Sequence, residues 1–228
     1  MRMKHLLWMA ALFLITISAV GQETQQRNVG SFSGIKVSEG IDVYVKHGDK
    51  ERVRVEASGI KLENVITEVS GSYLKIHLDG NNRGRINVKV YVTYVKLEKL
   101  YASAAGNIFG DGPIRAESIS LQCSSAGNIE IAVDAQRLEA SASSAGQIEI
   151  SGKVREFRAD VSSAGQINAY DLDSQRADVE ASSAGSIRVS VESDFRANAS
   201  SGGSIRFRGN PSKSITNSSS GGSVKKSS

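Results

Sequence analysis

From residue 101 onward, apolar or small side chains alternate with polar ones, and the pattern restarts about every 19 residues. Each restart carries one short motif: a small or polar pair, Ala or Gly, then Gly, any residue, and Ile or Val. It reads SAAGNI, SSAGNI, SSAGQI, SSAGQI, SSAGSI, SSGGSI and SSGGSV, centred on Gly106, Gly127, Gly146, Gly165, Gly185, Gly203 and Gly222. The steps between these glycines are 21, 19, 19, 20, 18 and 19 residues. Every second residue around Gly146 is Leu138, Ala140, Ala142, Ser144, Gly146, Ile148 and Ile150. Around Gly165 the same count gives Phe157, Ala159, Val161, Ser163, Gly165, Ile167 and Ala169. A period of two predicts strands with one buried face. The Ser-Ala-Gly centre reads as a bend, because glycine tolerates the backbone angles of a sharp corner.

Two strands per coil, repeated in register, predict stacking of each coil on the next as parallel sheet. The expected fold is all-β: a right-handed parallel β-solenoid, or β-helix, of coils of about 19 residues, the hand following from the rule for parallel crossovers. A propeller is disfavoured, since its blades need about 40 residues. The outward positions support stacking independently. Seven residues before each Gly the chain carries Glu139, Arg158, Asp178 and Arg196, alternating in sign from rung to rung, and stacked unlike charges attract. One residue after each Gly stand Asn107, Asn128, Gln147 and Gln166, which predict a ladder of amides.

Residues 22–100 show β alternation without the repeat, in Ile41–Val45, Arg52–Ala57, Tyr73–Leu78 and Ile86–Val92. They are expected to form an N-terminal β-rich section that caps the solenoid of residues 101–228, both within a single domain. Asp111-Gly112-Pro113 and Asn210-Pro211 predict protruding loops. The Ser/Gly-rich tail suits a polar last coil that blocks edge-to-edge association. Residues 1–21 read as a cleaved signal peptide: Arg2 and Lys4, the apolar run Leu6–Ile17, then Ala19-Val20-Gly21. Cleavage before Gln22 removes Trp8, the only tryptophan, and leaves no segment long enough to span a membrane. It also leaves 26 basic against 24 acidic residues. The basic residues are interspersed with acids, which together with export argues against a nucleic-acid partner. Cys123, the single cysteine, falls in the inward register and reads as buried and inert.

The chain resembles a family of bacterial exported proteins, the putative auto-transporter adhesin, head GIN domain. Three segments carry the resemblance: FSGIKVSEGIDVYVKHGD (Phe32–Asp49), YVTYVKLEKL (Tyr91–Leu100) and the SAG motifs from Ser103. It covers residues 28 to 226. The resemblance implies a β-solenoid with an envelope or surface role, in bacteria of Bacteroidetes type, and supplies no catalytic residue. An auto-transporter's C-terminal membrane barrel, with its ~10-residue alternating strands, is not expected in this chain.

Catalytic motifs are weak. His47 and His77 are singletons without ligand-spaced partners. The Ser-Ser-Ala-Gly runs are not G-x-S-x-G, and no phosphate-loop pattern occurs. The matches to the N-glycan sequon, Asn198-Ala199-Ser200 and Asn217-Ser218-Ser219, read as chance. The candidates for chemistry are carboxylates on outward columns: Glu130 over Glu149, and Asp160 over Glu180. Such pairs can share a proton or hold a cation, and a glycosidase needs two carboxyl groups about 5 to 9.5 Å apart across a cleft. The reading that emerges is an exported non-enzymatic, adhesin-like binding or scaffold protein of the cell envelope. It has no catalytic, cofactor or metal residues, and its partner is a glycan, an envelope component or a protein. Its expected location is the periplasm, the cell surface or the extracellular space. The alternatives are a carbohydrate-active β-helix enzyme using the face carboxylates, and a purely structural envelope protein.

Overall fold

The computed structural model describes residues 23–80 and 84–227, so the signal peptide expected at residues 1–21 lies outside the described residues. In chain order the strands are β1 (Glu23–Arg27), β2 (Gly34–Val37), β3 (Asp42–His47) and β4 (Arg52–Ser58). A single 3-10 turn at Leu62–Asn64 leads to β5 (Val65–Ser70), β6 (Tyr73–Leu78), β7 (Asn87–Tyr94) and β8 (Lys99–Ala102). The repeats then form five long strands, β9 (Asn107–Cys123), β10 (Asn128–Ala142), β11 (Gln147–Val161), β12 (Gln166–Ala181) and β13 (Ser186–Ala199). The chain finishes with β14 (Ser204–Arg208), β15 (Lys213–Ser218) and β16 (Ser223–Lys226).

These strands stack as a parallel β-solenoid with two sheets. Each long strand contributes a first arm to one sheet and a second arm to the other. The arms are divided where the burial alternation slips phase at two consecutive exposed residues: Gln136-Arg137, Arg155-Glu156 and Gln175-Arg176. The first sheet runs β1-β4-β7-β3, then the first arms of β9 to β13, then β14 and β16. The second runs β5-β6-β2-β8, then the second arms, ending on β15. Both sheets bury their inward side chains in one core. The expected inward columns hold: Ile148 pairs with Ile167, and Ile167 with Ile187, all buried. Phe195 and Phe207 meet across the core with ring centroids 4.5 Å apart.

The corner differs from its sequence reading in two ways. The glycine is not the residue that bends. At each Ser-Ser-Ala-Gly corner the second Ser and the Ala take left-handed backbone angles, as at Ser163 (φ 49°) and Ala164 (φ 59°). The Gly165 N–H donates to the Ser162 carbonyl at 2.9 Å, closing a tight turn with positive φ at both central residues. This turn also interrupts the alternation at one position, so Ser125, Ser144, Ser163, Ser183 and Ser201 are exposed rather than inward, and the same phase resumes at the glycine. The glycine is required for close approach instead. A Cβ on Gly165 would lie 2.5 Å from the carbonyl oxygen of Ala142 in the preceding coil. Hydrogen bonds continue through the corner: the Ala145 N–H donates to Ser163 O, and the Ala164 N–H to Ser183 O, each at 3.1 Å.

The N-terminal section contains coils of the same tube. Ser38-Glu39-Gly40-Ile41 is an eighth corner, with Glu39 (φ 63°) and Gly40 (φ 68°) left-handed and the Gly40 N–H bonded to Ala104 O at 3.1 Å. The stacking is out of chain order. β2 lies between β6 and β8, and β3 between β7 and β9, all parallel. The crossing from β7 to β8 is pinned by buried Leu97 and by Ser33 O, which accepts from the backbone of Glu98 at 2.8 Å and Lys99 at 3.2 Å. Antiparallel β5, β4 and β1 cap this end. The guanidinium of Arg27 ties the polar edge strand β1 down through Thr67 Oγ1 at 3.1 Å and the Leu62 carbonyl at 2.6 Å. At the other end Ser214, Thr216 and Ser218 stand in register with Phe195, Ala197 and Ala199. The core columns thus turn polar on the last coil, as an exposed end requires.

The two expected loops are present. Residues 110–112 bulge where Phe109 and Pro113 pair with Glu130 and Ala132, and residues 209–212 separate β14 from β15. The alternating charge column stacks as expected, with Arg196 3.6 Å from Asp178. The neighbouring column alternates too, through Arg137, Glu156, Arg176 and Asp194, with Arg176 paired to Glu156. In the expected amide ladder Asn107 bonds Asp42 at 2.7 Å. The run of stacked amide bonds instead lies in the second sheet, Asn217 to Asn198 at 3.0 Å and Asn198 to Glu180 at 3.4 Å. Ser174, buried within β12, donates its hydroxyl to the Ser190 carbonyl.

Three outcomes follow. Gly165→Ala is expected to cost about 1–3 kcal/mol by overpacking. Ala164→Gly, one residue earlier, should stay within about 0.5 kcal/mol, because relief of the left-handed backbone offsets the entropy of the new glycine; denaturant midpoints compare the two. Ile167→Asp places an unpaired carboxylate in the core and should cost several kcal/mol, whereas Gln166→Asp on the exposed side should cost far less; equal midpoints would contradict the register. Cys123 is buried, and burial pushes its thiol up to about 11. At pH 8 it should resist alkylation in the native protein and react on unfolding, which mass spectrometry reads directly.

Candidate functional site

The first sheet carries one outward column along the whole tube. Through strand pairing it runs Arg54, Tyr91, Tyr44, Phe109, Glu130, Glu149, Asn168, Arg188, Arg206 and Lys225. Its members come from β4, β7, β3 and the first arms in turn, so the out-of-order stacking is what brings Tyr91, Tyr44 and Phe109 together. The rings stack, Tyr91 on Tyr44 at 5.2 Å and Tyr44 on Phe109 at 5.3 Å between centroids. Arg54 covers the far side of the ladder, 4.0 Å from the Tyr91 ring centre, and the Tyr91 hydroxyl donates to Glu56 at 3.3 Å. The other end of the ladder is open. Phe109 has Tyr44 on one side and faces the next coil, where Glu130 stands, on the other.

Phe109 there walls a depression of about 320 Å³, lined also by Gly110, Glu130, Ala132, Glu149, Ser151, Asn168 and Asp171. Two irregularities give it sides. The loop at 110–112 rises from the first coil, and a bulge in β12 raises Tyr170 and Asp171. The volume lies at the lower end of the range for small-ligand sites. Among the described residues, Glu130, Glu149 and Asp171 make no ion pair or hydrogen bond, and no Lys or Arg lines the depression. The arrangement offers an aromatic ring face, carboxylates that accept hydrogen bonds, and a serine hydroxyl that both donates and accepts.

The four carboxylates singled out in the sequence are thereby divided. Glu130 and Glu149 are register neighbours on the first sheet, and Asp160 and Glu180 on the second. Each pair stacks as expected, but the two pairs do not meet. Asp160 Oδ2 lies 3.5 Å from Arg158 Nε, and Glu180 accepts from Asn198. Glu130 and Glu149 stand side by side on one floor, about one strand spacing of 4.8 Å apart, rather than facing each other across a scissile bond. His47 packs edge-on against Tyr94 at 5.7 Å, and His77 lies in β6 on the other sheet. Among the described residues no group of three or more His, Cys, Asp or Glu is placed to hold a metal ion, and no helix is long and apolar enough to cross a membrane.

The aromatic ladder escapes a reading by repeats alone because its rings come from strands far apart in sequence. One clue was present. Aligning Ser38–Tyr44 with Ser103–Phe109, corner on corner, places Tyr44 and Phe109 at the same offset.

Solved structures share this architecture. A protein of Bacteroides fragilis described as a putative adhesin has a TM-score of 0.79 at 16% identity, with 92% of this chain and 98% of that chain covered. A protein of Parabacteroides distasonis described as a putative lipid binding protein has a TM-score of 0.69 at 20% identity, covering 91% and 97%. A putative adhesin of Parabacteroides merdae has a TM-score of 0.69 at 15% identity, covering 91% and 96%. At these identities the likeness is one of fold. No curated protein matches the chain. The model of the family described as putative auto-transporter adhesin, head GIN domain, matches residues 31–211, and the chain belongs to that family.

Proposed function

We propose that this protein is an exported, non-enzymatic, adhesin-like binding protein of the bacterial envelope, with residues 22–228 acting as one domain, and that it binds an uncharged saccharide in the depression beside Phe109. The observation that supports this reading is the open end of the aromatic ladder set against unpartnered carboxylates on a rigid sheet. Sugar C–H groups pack on an aromatic face, and sugar hydroxyls donate to carboxylates. A floor of acids without a neighbouring cation disfavours an anionic ligand. The side-by-side placement of Glu130 and Glu149 favours binding over hydrolysis. A location in the periplasm, on the cell surface or outside the cell belongs to the same proposal and rests on the sequence of residues 1–21 and on the family.

The mature chain applied to an array of neutral glycans should show saturable binding without product formation. Phe109→Ala should weaken that binding about three- to tenfold, and Glu130→Gln with Glu149→Gln should weaken it further, while Asp160→Asn with Glu180→Gln leaves it unchanged. Shortened oligosaccharides that vanish when Glu130 and Glu149 are replaced would establish the enzyme reading instead. No binding by any neutral glycan would leave a structural envelope role.

A further inference from the structure

The column that carries the aromatic ladder ends in three cations. Arg188 pairs in register with Arg206, and Arg206 with Lys225, on successive rungs of the first sheet. All three are exposed. Stacked like charges repel, and this is the longest such stack on the two sheets: the columns through Glu139 and through Arg137 on the second sheet alternate in sign, and the like-charged stacks of acids, Glu130 on Glu149 and Asp160 on Glu180, are pairs only. Nothing nearby neutralises the triplet. The two flanking columns on the same rungs hold Ser186, Ser204 and Ser223 on one side, and Ser190, Arg208 and Ser227 on the other. Among the described residues, Arg188, Arg206 and Lys225 make no ion pair or hydrogen bond. Arg208 adds a further cation beside them, its guanidinium 4.0 Å from the centre of the Tyr170 ring.

The geometry points to a binding site for a linear acidic polysaccharide, with carboxylate or sulfate groups spaced along the chain, laid over Arg188, Arg206 and Lys225. The cations form a line with one charge per strand spacing of about 4.8 Å, so the triplet spans about 10 Å and suits a polymer with repeated charges. Guanidinium groups bind carboxylate and sulfate through paired hydrogen bonds. An anionic membrane fits less well. Surfaces that dock on lipid combine cations with exposed apolar anchors. Here Phe207 points into the core, Tyr170 lies under Arg208, and the exposed large apolar residues Val95 and Ile215 lie away from this column. This site is distinct from the depression beside Phe109, from which Asn168 separates it along the column, and it does not depend on the saccharide reading there.

The test measures binding of the mature chain to heparin and to polygalacturonate, with dextran as the neutral control and phosphatidylglycerol vesicles as the lipid control. Binding to at least one acidic polymer, weakening with added salt and absent for dextran, is expected. The triple variant Arg188→Gln, Arg206→Gln, Lys225→Gln should lose about tenfold or more in affinity for that polymer. Its melting temperature should be unchanged or higher, because a repulsive stack has been removed, which separates loss of the site from loss of the fold. Arg137→Gln with Arg176→Gln, on the second sheet, should leave affinity unchanged. The proposal is overturned by failure to bind either acidic polymer, by equal affinity in the triple variant, or by binding to the anionic vesicles in preference to both polymers.

Discussion

The closeness with which one corner must sit on the next governs the rest of the structure. Parallel coils pair along both sheets only if the chain reverses direction within about four residues, at the same height, on every coil. The Ser-Ser-Ala-Gly corner does this with two left-handed residues that are not glycine, each disfavoured by roughly 1–2 kcal/mol, followed by a glycine whose missing side chain lets the preceding coil's carbonyl approach. The bend is held by its own turn bond and by bonds to the next corner. Stability is therefore shared among neighbours, since no single coil could bury its apolar face or hold its corner alone. Small side chains at the corner are a steric requirement, which is why the motif recurs while the outward residues vary.

That regularity makes exceptions informative. Where the protein is only scaffold, the outward charges alternate and bridge from coil to coil, each exposed pair adding little individually. The first sheet departs from this rule along one line, with stacked rings, then stacked acids, then stacked cations, and the second sheet departs from it where Asp160 stacks on Glu180. Stacked rings stabilise the sheet, but the acids and cations each cost stability through repulsion. Departures of this kind are tolerated at sites where a ligand supplies the missing partner, and the stacked rings and acids lie beside the two bulges that give the face its relief.

The repeat could be read from the chain because each coil repeats one physical problem. The inward columns through Ile148, Ile167 and Ile187, the charge column from Glu139 to Arg196, the buried Cys123 and the protruding loop at residues 110–112 all follow from period and polarity. What escaped depends on three dimensions rather than on spacing. Left-handed angles at Ser163 and Ala164 are not encoded by residue type, since glycine is the usual occupant of such positions. The phase slip at Gln136-Arg137 lies between stretches that look continuous. The aromatic ladder required knowing that β7 lies outside β3, although β8 follows β7 in the chain. The carboxylate pairs were found individually, but only the fold shows that they belong to opposite sheets.

The enclosure of β2 and β3 bears on how the chain acquires its shape. The segment at residues 34–47 is flanked on both sides by strands made later, so it has no complete neighbour until residues 73–94 and 99–111 are present. A chain emerging amino end first, from a ribosome or through a membrane pore, cannot wind this tube in the order in which it appears. Its opening stretch must wait, unpaired, for partners some 40 to 65 residues downstream. Beyond that point each further coil finds a finished template immediately behind it. Assembly thus has one slow, non-local step near the amino end, followed by local growth, and that delay keeps the leading part of the chain unfolded, and hence threadable, for longest.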